Sequence, residues 1–228
     1  MNQTIKLQAR PSMGPVEQDR IKEALRLLIL TFWSQGGRKD WVDIASSSLK
    51  TWESLAQITG IKLEHPVRSV KNMLKEYEPE TLNQELESEF VRIFVNTRGG
   101  VSAPLYHSCY HDDQNLLMNE PALEMSRMLC NTGMDIGPDI GEPPDHLCIE
   151  LEYLYFLLDQ ARDINNHPSR AHIHFFSRKF MLSWIEIFQQ RIPETGVAGF
   201  FCSAAKITKE LIEFIGQSTA APSDHSRS

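Results

Sequence analysis

Residues 140–160 read IGEPPDHLCIELEYLYFLLDQ, and the parsing of this stretch decides the fold. It opens on acids, two prolines and a histidine, then becomes an almost unbroken apolar run. With a helix starting near Asp145, Leu147, Leu151, Leu154 and Leu158 fall on one stripe at spacings of four, three and four. His146, Glu150, Tyr153 and Leu157 make a second stripe, with Ile149 and Phe156 between the two. A helix apolar nearly all round belongs at the centre of a helical protein, so Glu150 and Glu152 require partners or the edge of a cleft. Glu142, Asp145 and His146, set against the rigid Pro143-Pro144 step, admit four readings. They could form a catalytic acid and base, a metal site, a helix cap built on Asp145, or a grip on a basic ligand.

Helical periodicity extends outward on both sides. In EQDRIKEALRLLILTFW (17–33), Ile21, Leu25, Leu28 and Phe32 share a buried stripe while Lys22 and Glu23 point away. A second helix ends near Gly60, and a shorter one is closed by Pro79. TLNQELESEFVRIFV (81–95) places Leu82, Leu86, Phe90 and Phe94 four apart, with Thr81 as its cap and Gln84 completing a capping box. The pattern then breaks over 96–115 in a loop with Gly99-Gly100 and Pro104, resumes in EPALEMSRMLCNTG (120–133), and breaks again over 134–144. Two further amphipathic stretches, 171–192 and 199–216, complete the ordered chain. No segment alternates like a strand and no repeat is visible. The expected fold is all-α, a bundle-like domain of about eight to ten helices, or two lobes joined by a hinge. The expected division is a flexible N-terminus (1–15), an N-terminal lobe (16–133), a hinge (134–144), a C-terminal lobe (145–216) and a disordered tail (217–228).

Composition narrows the function. The 228 residues are 41% hydrophobic and 23% charged, as in a globular protein, and the net charge of -7 argues against nucleic acid or an anionic membrane as partner. Four scattered cysteines, Cys109, Cys130, Cys148 and Cys202, form no CxxC pair, and the first residues lack the apolar core of a secretory leader. The chain is therefore expected in the cytoplasm, without stable membrane insertion. Phosphate-loop, dinucleotide, esterase-elbow and HExxH motifs are missing, so nothing supports nucleotide binding and a non-enzyme is favoured. His107, Cys109, His111, Asp112 and Asp113 cluster in YHSCYHDD, but their spacing matches no closed metal site, and no metal or cofactor is expected. His172 and His174 are two apart and fall on different helix faces.

Three pieces together resemble one family. EPPDHLCIELEYL (142–154) is similar to the EPxDHxxxELxFL signature of TorD/DmsD/NarJ-type chaperones, assembly factors for molybdoenzymes. LNQELESEFVRIFV followed by SAPLYHSCYHDD resembles their leucine-rich helix and proline-aromatic-x-Ser-x-Tyr loop, and FMLSWIEIFQQRI resembles their later helix with a tryptophan. The likeness covers about residues 20–215. It implies an all-helical chaperone that binds the twin-arginine signal peptide and apo-form of a molybdopterin-containing oxidoreductase, assisting cofactor insertion and delaying export. Its peptide-binding motif falls here on Glu142, Pro143, Asp145 and His146, and its loop motif on Tyr106, Ser108 and Tyr110. Some members trade lobes, which implies a monomer able to form a domain-swapped dimer. This chain departs from the pattern with Phe180 where a histidine usually precedes the tryptophan, and with His107 and Cys109 in the loop. Paired guanidinium groups would call for Glu142 and Asp145 beside an apolar groove, with His146 ordering the acids. The rival from another class is a hydrolase with His146 as base, Glu142 or Asp145 orienting it, and a loop Ser or Cys as nucleophile.

Overall fold

Helix-forming sequence occupies most of the chain, and the breaks fall where proline, glycine and short polar residues gather. The computed structural model describes residues 13–34, 37, 39–95, 100–111, 118–161 and 167–220. The helices are α1 (Pro15–Phe32), α2 (Trp41–Thr59), α3 (Glu64–Glu76), α4 (Pro79–Phe90), α5 (Glu120–Asn131), α6 (Leu147–Gln160), α7 (His167–Phe175), α8 (Leu182–Gln190) and α9 (Ala198–Ser218). A π turn at Val91–Val95 extends α4, and another at Phe176–Met181 joins α7 to α8. Among the described residues the extended pairing is limited to one antiparallel bridge, between Tyr106 and His146. The all-α class read from the periodicity holds.

The predicted stripes are the core. Ile21, Leu25, Leu28 and Phe32 are fully buried on α1, as are Leu147, Leu151, Leu154 and Leu158 on α6. α9 is buried along nearly its whole length and packs on α1, α3, α4, α7 and α8, while α1 also lies against α2 and α6. Close approach requires two of its glycines. A Cβ on Gly199 would lie 2.9 Å from the Glu194 carbonyl oxygen, and one on Gly216 would lie 2.6 Å from the Arg178 side chain. The segments 16–133 and 145–216 thus bury one continuous core, because α6 and α9 both rest on α1.

Four local expectations are corrected. α4 starts at Pro79, whose missing N–H costs nothing in a first turn, so Thr81 lies inside the helix instead of capping it. α6 is capped by His146, not Asp145: the His146 Nδ1 accepts from the Cys148 N–H at 3.1 Å. Lys22 does not point to solvent. It is buried where α6 crosses α1, with its ammonium 2.5 Å from Asp159 and over the Tyr155 ring. Residues 217 and 218 belong to α9, whose last turn is capped by Thr219, while the rest of the expected tail from 221 and the expected flexible start up to 12 lie outside the described residues.

Candidate functional site

The Tyr106–His146 bridge brings the two sequence motifs together. Leu147 N–H donates to Leu105 O at 2.8 Å and His107 N–H to Asp145 O at 3.0 Å, so the loop is pinned to the start of α6 by backbone bonds. Its near end is tied by Ala103 N–H to Ile93 O at 3.2 Å, and the Tyr110 hydroxyl donates back to Pro104 O at 2.8 Å. Glu142, Pro143, Asp145 and His146 therefore lie beside Tyr106, Ser108 and Tyr110, as the resemblance implies, but the seven residues do different things.

Glu142 and Tyr106 are at the surface, half-buried. The Tyr106 hydroxyl donates to Glu142 Oε2 at 2.8 Å and the Ser34 hydroxyl to Oε1 at 3.3 Å. Burial and the adjoining carboxylate push the Tyr106 phenol up, so it stays a donor. Asp145 is instead fully buried, where its Oδ2 accepts the Ser108 N–H at 2.7 Å. It holds the loop, so of the two acids expected beside an apolar groove only Glu142 is at the surface. Ser108 is likewise fully buried. Tyr110 packs against Trp184 and Phe188 with the Arg191 guanidinium over its ring at 4.5 Å, so its place is beneath the loop.

His146 is 1% exposed and edge-on to both Trp33 and Tyr106, with centroids 5.5 and 5.2 Å away. Burial lowers its pKa to about 4, and the nearby Glu142 and Asp145 carboxylates only partly oppose that shift. A neutral imidazole is also what the cap requires, since Nδ1 must accept. These facts speak against the hydrolase reading: the proposed base is occupied in the cap, and the Asp145 carboxylate orients a backbone N–H.

Residues without an assigned role in the sequence form the network below. Glu150 is fully buried; its Oε1 is 3.1 Å from His107 Nδ1 and its Oε2 accepts from Trp184 Nε1 at 3.0 Å. Burial raises the Glu150 carboxyl while His107 and Trp184 pull it back. His107 stacks on Trp184 at 5.4 Å and meets Phe180 at 4.8 Å. Two of the three departures from the family pattern, His107 and Phe180, thus meet in one contact: the loop supplies an imidazole against the position where the helix carries phenylalanine.

Two clefts flank the Trp33–His146 pair. One, of about 350 Å³, is lined by Ser34, Phe94, Pro104, Tyr106, Glu142 and His146. The other, of about 340 Å³, is mostly apolar, with Leu30, Trp33, Met134, Ile136 and Ile140 along it and Asp135 and Glu152 among its lining residues. Among the described residues no group of three or more His, Cys, Asp or Glu is placed to hold a metal, and Asp112 and Asp113 lie outside those residues. His172 and His174 have separate partners, the Tyr153 hydroxyl and the Gly216 carbonyl. No described helix is long and apolar enough to cross a membrane.

Residues 62–190, more than half of the chain and all seven motif positions, match the nitrate reductase delta subunit family. The chain belongs to this family. Within it, the chain is 33% identical over 127 residues to the chaperone protein TorD of Vibrio vulnificus strain YJ016, covering 54% of this chain and 59% of that protein. It is 28% identical over 160 residues to the chaperone protein TorD of Aliivibrio salmonicida strain LFI1238, covering 68% of this chain and 72% of that protein. The chain thus spans about three-fifths of the length of the curated relatives first matched. Among solved structures, an Archaeoglobus fulgidus chain described as a redox enzyme maturation protein aligns at 18% identity and a TM-score of 0.44, over 93% of this chain and 99% of that one. In this delta-subunit-family chain, α1 precedes the matched stretch and α9 follows it, so the two helices that close the core fall outside it.

Proposed function

We propose that this protein is a chaperone for a molybdopterin-containing oxidoreductase, binding the twin-arginine leader of the apo-enzyme, holding it for cofactor insertion and delaying export. The observation that carries this reading is Glu142: two neutral hydroxyls, Tyr106 and Ser34, orient its carboxylate at the mouth of one cleft, next to a second that is mostly apolar. A guanidinium forks onto a carboxylate more strongly than an ammonium does. The apolar run that follows the arginines in such a leader suits the cleft along Leu30, Trp33, Met134 and Ile140, as helices lie in grooves. Pro143 and Pro144 keep Glu142 in place at little ordering cost on binding. In this reading the protein acts in the cytoplasm, before export, and needs no metal or cofactor of its own. That the matched relatives are named chaperones supports it.

Calorimetry with a synthetic twin-arginine leader tests it. Glu142→Gln keeps the shape and removes the charge, and is expected to weaken binding by about 2 kcal/mol, roughly 30-fold. A leader with two lysines for the arginines binds the unaltered protein more weakly. Equal affinity for both proteins and both leaders overturns the reading.

A further inference from the structure

The buried network under the loop resembles a nucleophile, base and acid in order: Ser183 Oγ is 3.1 Å from His107 Nε2, and His107 Nδ1 is 3.1 Å from Glu150 Oε1. Ser183 is even exposed. Its hydroxyl, however, gives its proton to the Phe180 carbonyl at 2.5 Å, and it sits inside a continuous helical stretch whose N–H groups are used within the helix, leaving none for an oxyanion. Neither cleft described above is lined by it.

Proton accounting gives the network another role. Because Ser183 donates to Phe180, its oxygen accepts from His107 Nε2–H; because Trp184 donates to Glu150 Oε2, one proton remains for the contact between Nδ1 and Oε1. That proton sits on either partner and leaves the pair neutral overall. Without it, a carboxylate faces an imidazole lone pair in a fully buried site. Among the described residues His107 is the titratable partner in contact with Glu150; Asp145 is the nearby carboxylate on the α6 side and Cys109 the thiol on the loop, while α8 offers the neutral Trp184 and Ser183, α5 approaches with Asn119 ahead of it, and Arg191 reaches the Tyr110 ring.

We propose that His107 and Glu150 share one buried proton and latch the segment 103–111 to α6 and α8, as positioning residues that hold Tyr106 against Glu142. The binding consequence rests on the leader-binding reading; the latch itself does not, and the two are tested apart.

Hydrogen exchange read by mass spectrometry follows the loop without any ligand. In His107→Ala, exchange over 103–111 is expected to accelerate by about tenfold while α9 keeps its protection. Glu150→Gln is the discriminating variant: its amide can donate to Nδ1 and accept from Trp184, so the latch persists with no shared proton. As the pH is raised, with rates corrected for intrinsic exchange, loop protection falls in the unaltered protein and stays level in Glu150→Gln. Lys39, held at about 8 by burial, titrates in both and cancels. Identical pH profiles, an equal loss of α9 protection in His107→Ala, or covalent capture of Ser183 by a fluorophosphonate would overturn the latch. Calorimetry with the twin-arginine leader then gives the positioning role: affinity falls about tenfold in His107→Ala and is retained in Glu150→Gln at pH 7. Unchanged affinity with an opened loop overturns positioning, whereas a leader that fails to bind the unaltered protein removes the functional reading and leaves the exchange result to decide the latch.

Discussion

The Trp33 indole stands edge-on to the His146 imidazole with ring centroids 5.5 Å apart, and this pair is the wall between the carboxylate-lipped cleft and the apolar one. One ring comes from the end of α1 and the other from the cap of α6, so the wall exists only because those helices cross. A ligand with a cationic end and an apolar body would span it.

Removing the wall therefore affects binding more than folding. Trp33→Ala is expected to cost about 2 kcal/mol in leader affinity, as buried aromatic anchors at interfaces do. Calorimetry measures the loss, and thermal unfolding of the same variant should show a smaller change because Trp33 is only partly buried.

His146 makes stability depend on pH. Its pKa is depressed from 6.5 to about 4 in the fold, so the unfolded chain takes up this proton first as pH falls. The stabilising contribution of the neutral form is complete above about pH 6.5 and is lost progressively down to about pH 4. At 1.36 kcal/mol per unit the loss is about 3 kcal/mol. Urea unfolding at pH 7 and pH 4.5 measures it, and His146→Asn, which keeps a capping acceptor that does not titrate, should flatten this part of the profile.

Gly199→Ala reverses the usual sign of a helical glycine replacement. Alanine favours a helix by about 1 kcal/mol, but the added Cβ meets the Glu194 carbonyl oxygen at 2.9 Å, and backbone yields little. The expected net effect is a loss of about 1–2 kcal/mol. A raised melting temperature would show that the turn before α9 can shift.

The segment 134–144 is proposed as a hinge for exchange between protomers. Because α6 and α9 rest on α1, swapping residues 145–220 requires that shared core to open completely before it re-forms with a second chain. Refolding from denaturant at high concentration should yield a minor dimer that returns to monomer slowly on dilution. Light scattering after size separation reads this directly, and a single monomeric species would exclude a swap-competent hinge.

What could be read from the chain alone was whatever depends on neighbours three and four residues away. The stripe from Ile21 to Phe32, the one from Leu147 to Leu158, and the end of the second helix near Gly60 follow from local periodicity and backbone sterics, and all three are present. So is the meeting of the two motifs, because their resemblance to a known family carried long-range information that periodicity lacks. The packing around each residue was decided elsewhere. Lys22 lies on the polar side of α1 by its spacing, yet is buried because α6 crosses there with Asp159 to receive it. Asp145 lies inside and His146 takes the capping role that one reading gave to Asp145, because a bridge to the loop 40 residues earlier turns the Ser108 N–H toward the acid. His107 stood out in the sequence only within a polar loop cluster and as a departure from the family pattern; its partners Glu150, Ser183 and Trp184 come from two helices far along the chain. A buried polar group must find partners wherever the tertiary fold places them, and no local pattern records where that is.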